Sequence, residues 1–194
     1  MGLIRGIYVA LLQGWIHLGE HLFPPTIHPM LVHFPIALLY LALLVDLLSR
    51  VIHSTEHFFD RASFWLVLLG LVAGVCTAAA GVVSEQFVAW TSATKALLYA
   101  HQRDAVLTGV LVMLTLGARL YARYPRRSYG RHAGGWSFAG SGRGKASWLA
   151  TVLLVASVAM ITTTASLGGT MVYQYGVGIK HVTFRLPVGV RSRH

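Results

Sequence analysis

The sequence predicts an all-α integral membrane protein: a four-helix transmembrane bundle with an extra N-terminal interfacial or transmembrane helix. Three observations predict it. Charged residues make up only 11% of the 194, against about 25% in ordinary soluble domains, too few to cover a water-facing shell. Hydrophobic residues reach 55%. Four apolar runs also approach the roughly 20 residues that a helix needs to cross a bilayer.

The four runs are Met30 to Leu48, Phe64 to Val83, Ala105 to Tyr121 and Trp148 to Met171. They leave no room for a separate soluble domain. Leu3 to Phe23 is apolar too, but it carries Arg5, Gln13, His17, Glu20 and His21. It reads as a fifth span or as an amphipathic helix lying in the interface. It has no small-residue cleavage site, which argues against a cleaved signal peptide, and Pro24-Pro25 end it. The chain thus divides into an N-terminal helix (1–24), a transmembrane domain (25–178) and a basic tail (179–194). Within the second part, 125–145 is rich in Gly, Arg and Ser and reads as a flexible cytoplasmic connection.

The balance is basic, with 16 Lys+Arg against 6 Asp+Glu. In a soluble chain this would suggest nucleic acid. Here the basic residues cluster between and after the apolar runs, so they mark membrane orientation and anionic headgroups instead. The densest cluster, Arg123 to Lys145, follows the third run, and Arg119 near the end of that run is counted on the same side. The positive-inside rule makes that side cytoplasmic, as in a bacterial inner membrane. The start of the first run then faces the periplasm.

Ten histidines are the most informative feature. His28 stands at the mouth of the first run, His33 about one turn inside it, and His101 just before the third. All three should share one depth on the periplasmic side. Ionisable groups at membrane level are costly and are functional candidates by default. Imidazole ligates haem iron, zinc and copper, and a bis-histidine haem needs two imidazoles from facing helices. The expectation is a haem-b-binding electron-transfer protein or redox-complex subunit. His33 and His101 would be axial ligands and His28 a third ligand candidate or propionate partner. Its electrons would pass to a periplasmic carrier or to quinone, and the basic tail (Lys180, Arg185, Arg191, Arg193) would steer an acidic partner. Two rival readings stand beside it. One is a zinc or copper site made by His28, His33 and His101. The other is a cofactor-free structural subunit of a larger membrane complex.

The remaining histidines carry less. His17 and His21 share a helical face at a spacing that suits a metal pair or a polar interfacial face. His53 and His57 read as a solvated loop, and His132, His181 and His194 lie in polar segments. Among the acids, Asp46 pairs with Arg50 one turn on, worth a few tenths of a kcal/mol if exposed. Glu85 and Asp104 are placed to orient a ligand histidine by accepting its second N–H, although Asp104 also suits a helix start. Gly70, Gly74, Ala78 and Gly81, with Gly109, Gly117, Gly168 and Gly169, sit where small residues let helices approach or leave space for a planar cofactor. Cys76, the single cysteine, reads as a packing residue and excludes an internal disulfide. No hydrolase triad, phosphate loop or dinucleotide fingerprint is present.

The stretch His28-Pro29-Met30-Leu31-Val32-His33-Phe34-Pro35-Ile36-Ala37-Leu38 resembles the opening signature of a widespread, largely uncharacterised family of bacterial four-helix membrane proteins. Gly168-Gly169 with Val172-Tyr173-Gln174-Tyr175-Gly176-Val177-Gly178 resembles its closing signature. His101 falls where the family tends to carry a histidine before the third span. The resemblance covers roughly Pro25 to Gly178. It implies a four-helix fold and, because relatives occur fused or adjacent to c-type cytochrome domains, a redox setting. Relatives often have a histidine just before the closing Gly-Val-Gly; here that position is Tyr175.

Overall fold

A computed structural model describes residues 2–24, 26–52, 58–123 and 145–179. The described residues form six α-helices: α1 (Gly2–Leu22), α2 (Ile27–Leu31), α3 (His33–Val51), α4 (Phe58–Ser84), α5 (Ser92–Arg123) and α6 (Lys145–Tyr173). A 3₁₀ turn, Glu85–Phe87, follows α4. Four stretches are long and apolar enough to cross a membrane: Ile27–Val51, Phe58–Phe87, Ser92–Ala122 and Trp148–Tyr173. Each contains one of the four expected runs and extends beyond it.

The first stretch spans two helices because of its prolines. Pro35 has no N–H to give the Leu31 carbonyl, so the α-helical ladder is interrupted just ahead of it. The break falls at Val32, whose N–H still bonds the His28 carbonyl at 3.0 Å. At the other end, Gly176 adopts φ 65° and returns its N–H to the Val172 carbonyl at 3.0 Å. This is the left-handed cap that ends many helices, and glycine takes it without a Cβ penalty. The Gly176-Val177-Gly178 segment therefore has a structural job, and Tyr175 beside it is an exposed cap residue.

α3 pairs with α4, and α5 with α6, as two antiparallel hairpins; α3 also meets α6, and α4 meets α5. The four helices thus form a square with α3 and α5 on a diagonal. Leu39, Val67, Val112 and Leu154 meet at its centre, each at most 2% exposed. Large apolar side chains such as Leu44, Val75, Val106 and Val152 point outward. Apolar residues on the outside suit a bundle solvated by lipid.

α1 is not among the four spanning stretches. It lies against α4 through two contacts. Trp15 Nε1 donates to the Ala79 carbonyl at 3.0 Å, and Gly19 lets the Val83 side chain come so close that a Cβ there would stand 2.5 Å from it.

Several sequence expectations change. Cys76 is exposed, so it does not pack in the interior. Among the described residues, Gly109 and Gly117 have nothing within 4 Å of a Cβ position, so neither is a point of close helix approach. Gly70 does, resting against Leu39. The Arg-rich connection, apart from its final residue, and the basic tail beyond Ile179 lie outside the described residues, as do His53, His57, His132, His181 and His194.

Candidate functional site

The structure brings His28 and His101 together. Their ring centres are 6.2 Å apart and their planes are nearly perpendicular, at 82°. His28 comes from α2 and His101 from α5, across the diagonal of the square.

Each imidazole is fixed in the same way. His28 Nδ1 lies 2.9 Å from the Thr77 carbonyl on α4. His101 Nδ1 lies 2.8 Å from the Thr164 carbonyl on α6. A carbonyl oxygen only accepts, so Nδ1 is the donor in both rings. In the neutral imidazole that leaves Nε2 with its lone pair.

These carbonyls are reachable because of what lies one turn on. The residue four after Thr77 is Gly81, and the residue four after Thr164 is Gly168. A Cβ on Gly81 would stand 3.0 Å from His28 Nδ1, and one on Gly168 would stand 3.5 Å from His101 Cε1. Both threonines turn their hydroxyls back to their own helix, Thr77 to Ala73 and Thr164 to Met160, each at 2.8 Å. The space these two glycines leave is filled by imidazole rings.

His33, expected opposite His101, is exposed on the outside of the bundle, and His28 occupies that place. The two histidines lie on either side of the Val32 break, His28 on α2 and His33 at the start of α3. Among the described residues, no group of three or more His, Cys, Asp or Glu side chains is placed to hold a metal ion. The three-histidine zinc or copper arrangement is therefore not formed.

Glu85 and Asp104 are electrostatic neighbours of the pair, Glu85 of His28 and Asp104 of His101. Neither accepts the Nδ1 proton expected of it; the two backbone carbonyls do. Glu85 instead takes Gln102 Nε2 at 2.7 Å, and its backbone carbonyl takes Trp90 Nε1 at 3.1 Å. Asp104 is 7% exposed and holds Arg103 at 2.8 Å.

A second polar cluster sits at the opposite end of the bundle. Asp46 and Arg119 are 2% and 4% exposed and form an ion pair at 2.5 Å. Thr151 donates to Asp46 at 2.6 Å, and Arg119 donates to Ser63 at 3.0 Å. Arg50 lies 3.7 Å from Asp46, and Asp60 lies 3.8 Å from Arg119. The charges alternate in sign along Arg50, Asp46, Arg119 and Asp60. Arg50 also covers the Trp148 ring at 4.2 Å. Sequence reasoning finds the Asp46–Arg50 pair and gives it a few tenths of a kcal/mol for the exposed case, whereas Asp46 is buried. It missed Arg119, which was counted only as an orientation charge. The signal was there: an arginine inside an apolar run needs a partner.

On the outer helix, His17 and His21 stack edge to face at 4.7 Å and remain exposed.

A family model described as "Predicted membrane protein (DUF2231)" matches residues 24–181. The chain belongs to this family. The matched region contains all four spanning stretches, both imidazoles and both glycines that seat them. No curated protein and no solved structure matches the chain.

Proposed function

We propose that this membrane protein binds one haem b between His28 and His101 and transfers electrons through it. The observation that carries the reading is the facing imidazole pair, each ring pinned through Nδ1 with Nε2 left to act as a ligand. Metal–nitrogen bonds of about 2 Å on each side put two ring centres about 6 Å apart around a single metal, close to the 6.2 Å seen here. Hydrogen bonds from the far nitrogen to carbonyls are also how ligating histidines are usually oriented and made more basic.

Two protein ligands favour haem over a bare ion. A structural zinc site takes four protein ligands and a catalytic one takes three; among the described residues only two imidazoles converge. Porphyrin supplies the other four positions itself, so two imidazoles complete the iron. When bound, the group supplies one-electron chemistry. The chain's own residues would set its potential through ligand identity, burial and the hydrogen bonds to Thr77 and Thr164.

In this reading the site faces the periplasm of a bacterial inner membrane, because the basic residues from Arg123 to Lys145 mark the other side as cytoplasmic. A c-type cytochrome, another redox-complex subunit or quinone would be the exchange partner, with the basic tail favouring an acidic carrier. A cofactor-free structural role is the rival, supported by how fully each ring is already seated against carbonyl and glycine.

Absorption spectra of the purified protein, oxidised and dithionite-reduced, test the proposal. The expected result is a Soret band with a reduced α-band. His28→Ala and His101→Ala should each abolish the six-coordinate spectrum, and His33→Ala should retain it. A protein without a Soret band after expression with added haem precursor would overturn the reading. Elemental analysis of the same preparation detects zinc or copper in its place.

A further inference from the structure

Each hairpin carries the same three-residue device: a histidine on its first arm (α2, which leads into α3, in one and α5 in the other) and Thr-x-x-x-Gly on its second. His28 with Thr77 and Gly81 is repeated by His101 with Thr164 and Gly168. The correspondence extends along the helices. Asp46 and Arg119 are 73 residues apart, and the same offset takes His28 to His101, Pro35 to Thr108, Leu39 to Val112 and Ala42 to Thr115. Apart from the partly buried histidines, every member of these pairs is buried. A second constant offset relates α4 to α6. It takes Val67 to Leu154, Gly70 to Ser157, Thr77 to Thr164 and Gly81 to Gly168. The second offset is larger because the α5–α6 connection is longer than the α3–α4 connection.

Buried faces of any two core helices match in some register, since both repeat every three to four residues. The coincidence here goes further. The register that aligns the buried faces of α3 and α5 superposes histidine on histidine, the one that aligns α4 and α6 superposes threonine on threonine and glycine on glycine, and each trio makes the same Nδ1-to-carbonyl bond. The spatial arrangement has the matching symmetry. α3 and α5 run in one direction, α4 and α6 in the other, and the contacts of α3 with α6 mirror those of α4 with α5. That is a twofold axis along the membrane normal, the parallel type of internal repeat.

We infer that the chain is a duplicated helical hairpin, and that His28 and His101 are equivalent halves of one ligand pair on its axis, each positioned by its own Thr-x-x-x-Gly notch. Gly81 and Gly168 are positioning residues: they leave the carbonyl open and set the plane of the ring that docks on it. What the pair holds rests on the haem reading; the notch and the tautomer it imposes do not.

The two glycines differ in clearance, and that gives the test. A methyl at Gly81 would sit 3.0 Å from the His28 ring and must displace it, whereas one at Gly168 would sit 3.5 Å from the His101 ring in ordinary contact. Nitrogen-15 NMR of histidine-labelled full-length protein, prepared without haem, reads the tautomer directly. Both His28 and His101 should be protonated at Nδ1. Gly81→Ala should shift the His28 resonances alone, Gly168→Ala should leave both nearly unchanged, and Gly168→Val should shift those of His101. Where haem is bound, the ferric EPR spectrum should show the strong anisotropy of near-perpendicular axial imidazoles, and Gly81→Ala should alter it while Gly168→Ala does not. Wild-type rings protonated at Nε2, or a Gly81→Ala variant with unchanged His28 signals, would overturn the inference even where the Soret band is present. Absence of that band with the expected tautomers would instead sink only the haem reading.

Discussion

Asp46 shows how far a residue's surroundings decide what it contributes. Beside Arg50 alone, on a wet surface, the pair would be worth a few tenths of a kcal/mol. At 2% exposure, with Arg119 and Thr151 on its two oxygens, it is one end of a buried bridge between α3 and α5. Removing one partner of such a pair leaves the other charge in a low-dielectric interior and costs about 3–5 kcal/mol, while replacing both by apolar residues is often nearly neutral. Asp46→Leu and Arg119→Leu should therefore each destabilise by about that much. The double variant should lose far less than their sum. Equilibrium unfolding in detergent with increasing SDS measures it, and strict additivity would contradict a direct pair. Arg119 was hard to see as a partner because its counter-charge lies 73 residues away, and no local spacing announces such a contact. The histidines were different. His33 and His28 are five apart, a spacing that does not put two residues on one helical face, and Pro35 marks the break between their helices.

At the scale of elements, what was legible followed from the solvent. A bilayer requires apolar helices of a certain length, so the four apolar runs located the four spans. It does not say which small residues touch what. Gly109 and Gly117 looked like contact positions and are not points of close approach among the described residues, while Gly81 and Gly168 seat imidazoles. Glycine spacing encodes a possible approach, and only the third dimension supplies the neighbour. α1 is the clearest example, since Gly19 is the point where it rests on α4. A methyl there would stand 2.5 and 2.9 Å from the two Val83 methyls, and valine is stiff about χ1, so it has little room to rotate away. Overpacking of this kind costs about 1–3 kcal/mol. Gly19→Leu should lift α1 off the bundle and break the Trp15–Ala79 bond. Trp15 emission, isolated by replacing the other tryptophans with Phe, would then shift and become more quenchable. An unchanged emission would mean that α1 is held by something other than this contact.

The two polar clusters take their meaning from the whole molecule. One lies at each end of the square, and fully buried Leu39, Val67, Val112 and Leu154 separate them. This apolar layer separates the histidine end from the Asp46–Arg119 end. The inferred twofold relation of the two hairpins adds a limit on what the histidine end can hold. A ligand away from the axis would have a symmetry-equivalent place and would bind twice, but a ligand on the axis binds once and uses one imidazole from each half. If the pair holds haem as proposed, the expected stoichiometry is one haem iron per chain, with neither histidine able to keep a six-coordinate haem alone. Pyridine-haemochrome quantification against amino-acid analysis should give one haem per polypeptide in the wild-type protein. In His28→Ala and His101→Ala the bound haem should fall by the same factor, because the two ligands are equivalent. Two haems per chain, or a large loss in one variant and almost none in the other, would show that the two halves of the bundle do not share a single axial site.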